Sequence, residues 1–179
     1  MIVEKIVGAA AEQGAGLPAL QALGERVNRG TRSMGVALTS CTVPAIGKPM
    51  FAIGEDEIEV GVGIHGEPGR RREKLQRADA LAEEMVGAIL ADFGAAARGN
   101  VLLLVNGFGA TPLMELYLMY HSARRVLEGR GLGVGRSLVG NYVTSLDMAG
   151  CSITVALLDE ELARLWDAPV HTAGLRWGV

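Results

Sequence analysis

The chain has 179 residues, of which 49% are hydrophobic and 21% charged, and its formal net charge is −3. This length suits one domain, and the apolar fraction is sufficient to bury a core, which excludes a disordered chain. The acidic balance excludes the basic field on which nucleic-acid binding depends. No apolar run approaches the roughly 20 residues of a membrane-spanning helix, so neither nucleic acid nor membrane is expected as a partner.

The two cysteines and the first thirteen residues both indicate a cytoplasmic protein. Cys41 and Cys151 stand far apart, outside any metal-binding spacing. We expect them to be buried thiols in a reducing compartment. Charged and apolar residues alternate over residues 1–13, which lack the continuous apolar stretch of a signal peptide.

The first third of the chain predicts two helices followed by two strands. Apolar residues at helical spacing predict a helix over residues 2–13, and a second helix opens at Pro18 and ends near Gly30. Small and β-branched residues over 33–44 predict a buried strand that runs into an irregular loop. Alternation over residues 57–64 predicts a half-buried strand.

Helices and strands alternate in the middle of the chain. The basic run Arg70–Arg72 is expected to be the solvated entrance of a long helix that ends around Phe93. Residues 99–106 include the run VLLLV, which is typical of an interior strand. Thr111 and Pro112 are then expected to cap and start another helix.

Two further strands are predicted near the end, over residues 137–143 and 151–157. Asp159 is expected to cap a short helix, and the tail is expected to be extended. This order predicts a single α/β domain over residues 1–179, with a mixed β-sheet and helices packed on it in a two-layer-like arrangement.

His65 is the first candidate for chemistry. It lies in the segment GVGIHGEPG, where a predicted strand ends and glycines flank the imidazole. Ligands commonly bind at strand ends in α/β sheets, and glycines leave room for a small molecule to reach a ring nitrogen. Glu67 is placed to orient the ring. The alternative is a glycine-built turn that carries an ordinary surface or buried histidine.

Other polar segments are weaker candidates. Residues 106–112 open a helix whose N-terminus can bind an anion, but they match no nucleotide motif, and a tight turn is the preferred interpretation. The Ser and Asp of residues 144–147 have no nucleophile elbow and are expected to be ordinary loop residues. His121 and His171 are too far from His65 in sequence to suggest a metal site. For Arg70–Arg72, a role in binding substrate phosphate stays open.

Five segments together resemble the dihydroxyacetone-binding subunit of the dihydroxyacetone (glycerone) kinases, and the resemblance covers essentially the whole chain. The segments are CTVPAIGKPMF, GVGIHGEPG, LVNGFGATPLMELY, VGNYVTSLDMAGCSIT and LWDAPVHT. The resemblance implies that His65 is catalytic and bonds covalently to the substrate carbonyl carbon, giving a hemiaminal. It also implies that Gly63, Gly66 and Glu67 shape the substrate site around His65.

The resemblance further implies a phosphotransferase of glycerol or triose metabolism that forms a homodimer. No cofactor is expected on this chain, since ATP or ADP-Mg would be bound by a nucleotide-binding subunit or domain, itself supplied by ATP or a phosphotransferase-system protein. The family's subunit is about twice as long, and its N-terminal half, which carries acid–base groups, is absent from this sequence. The resemblance therefore implies that the chain needs that half and a nucleotide-binding partner for activity.

Two alternatives remain open on the sequence. One is a non-catalytic triose sensor or co-regulator that retains the ketone-binding histidine. The other is part of a kinase that acts on another short ketose such as erythrulose, because the same histidine chemistry would serve it.

Overall fold

The computed structural model describes residues 1–65 and 69–178, and its central feature is a mixed six-stranded β-sheet. The strands are β1 (Thr31–Ala37), β2 (Glu57–Val60), β3 (Arg71–Lys74), β4 (Asn100–Gly107), β5 (Gly133–Gly140) and β6 (Gly150–Leu158). Their order is β3-β2-β1-β6-β4-β5, and β4 and β5 are parallel, whereas the other neighbouring pairs are antiparallel. The predicted mixed α/β class is confirmed.

Five helices and a small hairpin complete the described fold. The helices are α1 (Ile2–Glu12), α2 (Leu17–Arg29), α3 (Ala78–Phe93), α4 (Leu113–Gly129) and α5 (Glu160–Asp167), with a short 3₁₀ turn at Gly94–Ala96. The tail forms the two-stranded hairpin of β7 (Val170–His171) and β8 (Arg176–Trp177). Asp159 caps α5 as predicted, since its Oδ1 accepts a hydrogen bond from the Leu162 N–H at 2.9 Å.

Both faces of β4 are buried, which explains its uninterrupted apolar sequence. Val101, Leu103 and Val105 belong to the core that includes α3 and α4. Leu102 and Leu104 belong to a second core that includes residues of α1, α2 and α5. Helices therefore cover both faces of the sheet around β4, which goes beyond the two-layer-like arrangement expected from the sequence.

The basic segment before α3 was wrongly predicted as a helix entrance. Arg71–Lys74 forms the edge strand β3, which pairs antiparallel with β2, and α3 begins only at Ala78. Arg72 pairs with Glu59 at 3.1 Å and Lys74 with Asp56 at 2.5 Å across the two strands. A charged edge strand carries no apolar alternation and depends on pairing with its neighbouring strand, so periodicity does not reveal it.

The two cysteines are free and buried, as predicted. Burial raises the pKa of the Cys151 thiol to about 12, so this thiol stays protonated at neutral pH. Within the described ranges 1–65 and 69–178, no helix is long and apolar enough to cross a bilayer.

Candidate functional site

Four of the five segments that carry the family resemblance meet at one end of the sheet. There, the last residue of β1 and residues that follow β1, β2 and β4 or precede β6 form a third apolar group, which we call the strand-end cluster. It comprises Ala37, Cys41, Val62, Phe108 and Met148, with Phe51 and Ile64 packed against them. Segments far apart in sequence therefore build one local structure, and this structure supports the loop that carries His65.

Hydrogen bonds connect the loop after β4 to the segment before β6. The Phe108 N–H donates to the Gly150 carbonyl at 3.1 Å, and the Ser145 N–H donates to the Phe108 carbonyl at 2.6 Å. The buried Thr111 hydroxyl donates to the Gly150 carbonyl and accepts from the Gly150 N–H, both at 2.7 Å. The prediction that Thr111 caps α4 is wrong, because its hydroxyl serves β6 and Pro112 occupies the cap position without a side-chain hydrogen bond.

Two glycines are required by close backbone approach in this region. Gly109 has φ 131°, and a Cβ there would lie 2.1 Å from the Leu146 carbonyl oxygen. Gly150 has φ 142°, and its Cβ would lie 2.2 Å from the Val36 carbonyl oxygen. Any larger residue at either position would clash with backbone, which gives a structural reason for glycine in both segments.

Asn106 connects the end of β4 to the loop after β5. Its Oδ1 accepts from the N–H groups of Tyr142 and Val143, at 2.9 and 2.8 Å, and its Nδ2 donates to the Val143 carbonyl at 2.8 Å. The side chain is only 3% exposed. The sequence placed Asn106 at the end of a predicted strand and the start of a turn but not in a buried connection, for which an amide at the end of an apolar strand was the signal.

His65 lies between β2 and β3 of a hairpin, and we call the described residues there, 61–65 and 69–70, the His65 loop. The hairpin stem closes where the Arg70 N–H donates to the Val60 carbonyl at 2.7 Å, and the Gly61 N–H bonds to Gly35 of β1 at 2.7 Å. His65 is exposed, and Gly63 is half-buried close to it in the chain. The other two predicted site residues, Gly66 and Glu67, lie outside the described residues.

Glu59 supports the base of this loop and was missed as a functional candidate. Its side chain is buried, one carboxylate oxygen accepts from the Gly69 N–H at 3.0 Å, and the other pairs with Arg72 at 3.1 Å. The carboxylate thus binds both the loop's returning end and the edge strand. A glutamate on a half-buried strand directly before the glycine-rich loop was the available signal.

A cavity of about 500 Å³ adjoins the His65 loop on the sheet face opposite α3 and α4. Gly63 and Ile64 line it, together with Phe108 of the strand-end cluster. This volume falls in the range of ordinary small-molecule sites, roughly 300–1,000 Å³. Ile64, which lines the cavity, directly precedes the exposed His65 in the chain.

The remaining polar candidates have structural contacts. The Thr42 N–H donates to the Asp147 carboxylate at 2.6 Å and holds the pKa of that carboxyl below its usual value. Ser145 is buried, and its backbone bonds to Phe108. His121 lies on α4 and His171 in β7. Among the residues described, no group of three or more His, Cys, Asp or Glu side chains is arranged to hold a metal ion.

Comparison with known proteins confirms the family resemblance. Residues 1–174 match the model of the Dak1 domain. The chain therefore belongs to the Dak1 domain family.

Relatives in this family are named as kinases of short ketoses. The chain is 48% identical over 173 residues to the dihydroxyacetone-binding subunit of PTS-dependent dihydroxyacetone kinase 1 from Listeria innocua, covering 96% of this chain and 53% of that protein. It is 42% identical to a D-erythrulose kinase from Mycolicibacterium smegmatis, covering 99% of this chain and 30% of that protein. The chain thus spans about half the length of the dihydroxyacetone-binding subunit it matches.

Among solved structures, the chain is similar to a dihydroxyacetone kinase operon co-activator. The TM-score is 0.87 and the identity 37%, covering 94% of this chain and 52% of that one. The same fold therefore occurs both in proteins named as kinases and in one named as a co-activator.

Proposed function

We propose that this chain is the ketone-capturing part of a dihydroxyacetone kinase and that His65 is its nucleophile. The observation that carries the proposal is the position of His65. It is exposed on a hairpin loop beside a cavity, where four segments that resemble the dihydroxyacetone-binding subunits converge. Family membership supports the same assignment.

The chemistry uses a neutral imidazole. The ring nitrogen that lacks a proton attacks the carbonyl carbon, a C–N bond forms, and the π electrons of the carbonyl move to its oxygen. The other ring nitrogen then loses its proton, and the alkoxide gains one, so the product is a neutral hemiaminal. No oxidant or further reactant is needed, and the reaction is reversible.

Covalent capture explains how a three-carbon substrate can be selected. Glycerol has no carbonyl and cannot form the adduct, although its hydroxyls resemble those of dihydroxyacetone. The covalent bond also fixes a ligand that has too few atoms to bind tightly through contacts alone. Gly63, Gly66 and Glu67 would shape the site, with Glu67 orienting the ring.

Phosphoryl transfer to a terminal hydroxyl requires groups beyond this chain. The β4–α4 turn contains glycines but does not match the Gly-x-x-x-x-Gly-Lys-Ser/Thr pattern of a phosphate-binding loop. The proposal places the nucleotide on a partner subunit or domain, and it takes acid–base groups from the N-terminal half of the longer relatives. A cytoplasmic homodimer is the assembly we propose.

Carbon NMR with dihydroxyacetone labelled at its carbonyl carbon tests the capture step. We expect the wild-type chain to shift the labelled carbon from the ketone region to that of a tetrahedral carbon bonded to oxygen and nitrogen. His65→Ala should abolish the new resonance, whereas His171→Ala, which removes an exposed histidine in β7, should retain it. An adduct that survives His65→Ala, or a wild-type chain that forms none, would contradict the proposal.

Two similarities favour alternative functions, a ketone sensor and a kinase of a longer ketose. Similarity to the co-activator favours a sensor that binds a ketone without phosphorylating it, and similarity to the D-erythrulose kinase favours a four-carbon ketose. Competition between labelled dihydroxyacetone and erythrulose for the His65 adduct distinguishes the substrates. To distinguish the kinase from the sensor, the chain is mixed with the N-terminal half and the nucleotide-binding subunit of a relative. Formation of a phosphorylated product then indicates the kinase.

A further inference from the structure

The cavity beside the His65 loop has a floor of hydroxyl groups. Ser33 of β1 and Ser152 and Thr154 of β6 line it, because these positions alternate with the apolar residues that face α3 and α4. Ser33 and Thr154 are hydrogen-bonded to each other through their hydroxyls. A hydroxyl can donate once and accept twice, so this pair retains capacity to bond a ligand. These hydroxyls lie among apolar lining residues such as Ile2, Leu104 and Phe108, so the cavity offers polar partners on one side of a largely apolar wall.

Arg70 brings a positive charge to the same cavity, which it lines. Its aliphatic stem runs across Gly61, where a Cβ would lie only 2.7 Å from the Arg70 Cγ. Gly61 has φ 83°, a conformation that favours glycine. A larger residue at position 61 would therefore be strained in its backbone and would displace the Arg70 stem.

Arg70 differs from the two arginines that follow it. Arg71 pairs with Glu73 and Glu84, and Arg72 pairs with Glu59. Among residues 1–65 and 69–178, by contrast, no carboxylate forms an ion pair with the Arg70 guanidinium. Its charge is thus not neutralised by a described neighbour, in a chain whose net charge is −3.

We propose that this cavity binds a small phosphorylated polyhydroxy compound, with Arg70 on the phosphate and the strand hydroxyls on its hydroxyl groups. A guanidinium offers the planar, two-pronged donor geometry that phosphate oxygens accept. The choice of a three-carbon ligand rests on the proposed function. The cavity gives the phosphorylated product, or a phosphorylated regulator of the same class, a site next to the histidine that captures the ketone.

Glycerol 3-phosphate is the appropriate probe because it has no carbonyl and cannot form a bond with His65. Calorimetric titration of the full chain should show binding of this probe, and weaker binding of inorganic phosphate and of glycerol. Arg70→Gln should raise the Kd about tenfold or more, since it removes a charge-assisted hydrogen bond. Ser33→Ala should raise it a few-fold, because it removes one of the hydroxyls that line the cavity.

Two controls separate this site from the capture site. Arg98→Gln removes an exposed guanidinium that does not line the cavity and should leave the Kd unchanged. His65→Ala should also leave it unchanged, whereas Arg70→Gln should still form the ketone adduct. The proposal is overturned if Arg70→Gln has no effect, if the wild-type chain does not bind the probe, or if inorganic phosphate binds equally well.

Discussion

The strand-end cluster and the His65 loop lie side by side but are built differently. The cluster is buried and cross-linked by backbone hydrogen bonds and by the Thr111 hydroxyl. The loop presents His65 to solvent and is supported at its base by Glu59. From this difference we expect substitutions in the cluster chiefly to lower stability, and substitutions in the loop chiefly to weaken the proposed ketone capture.

Phe108→Ala should produce the largest loss of stability. Phe108 is 1% exposed and lies in the strand-end cluster, so its truncation leaves a cavity and should lower the free energy of unfolding by about 3–5 kcal/mol. Urea denaturation measures the change. Leu118→Ala on the exposed face of α4 is the matched control, because Leu118 is 52% exposed and should change stability by no more than about 0.5 kcal/mol.

Thr111→Val should follow, at about 2 kcal/mol, although the two side chains have nearly the same shape. The substitution leaves the buried Gly150 N–H without its acceptor, and an unsatisfied buried group is costly. Thr111→Ser retains the hydroxyl and should recover most of the loss in the same denaturation assay. A Val variant as stable as the wild type would show that the Thr111 hydrogen bonds do not set the strand-end cluster apart from the His65 loop.

Glu59→Gln should act on the His65 loop and cost about 0.5–1 kcal/mol. Gln retains an oxygen for the Gly69 N–H but loses the charge that pairs with the half-exposed Arg72. We expect faster hydrogen exchange at the Gly69 amide and weaker ketone capture. Exchange at Gly150 should stay unchanged; equal acceleration at both amides would show that the two regions open together.

Acidification should have the smallest effect, at the contact between Asp147 and Thr42. The Thr42 N–H lowers the pKa of Asp147 from its usual 3.8, so the carboxylate stabilises the fold above that pH. The stabilisation is lost as the pH falls through the lowered pKa. The Thr42 amide resonance should therefore shift below about pH 4 in the wild type and not in Asp147→Asn, which retains an acceptor but does not titrate there.

Local patterns in the sequence predicted most of the fold but not how the site is assembled. The apolar run in β4 and the Asp159 cap of α5 depend on neighbouring residues, and both were predicted correctly. The edge strand β3 depends on pairing with β2, and the strand-end cluster joins segments about a hundred residues apart. The bonds of Thr111 and Asn106 join residues 39 and 37 positions apart, so only the tertiary structure reveals them.

The most direct test of the central claim is a crystal of this chain soaked with dihydroxyacetone, compared with an identical soak of His65→Ala. We expect continuous electron density from a His65 ring nitrogen to a tetrahedral carbon in the wild type. In the variant we expect an unchanged strand-end cluster and no such density. A wild-type crystal with an unmodified imidazole, or with the ketone bonded to another residue, would contradict the assignment of His65 as the nucleophile.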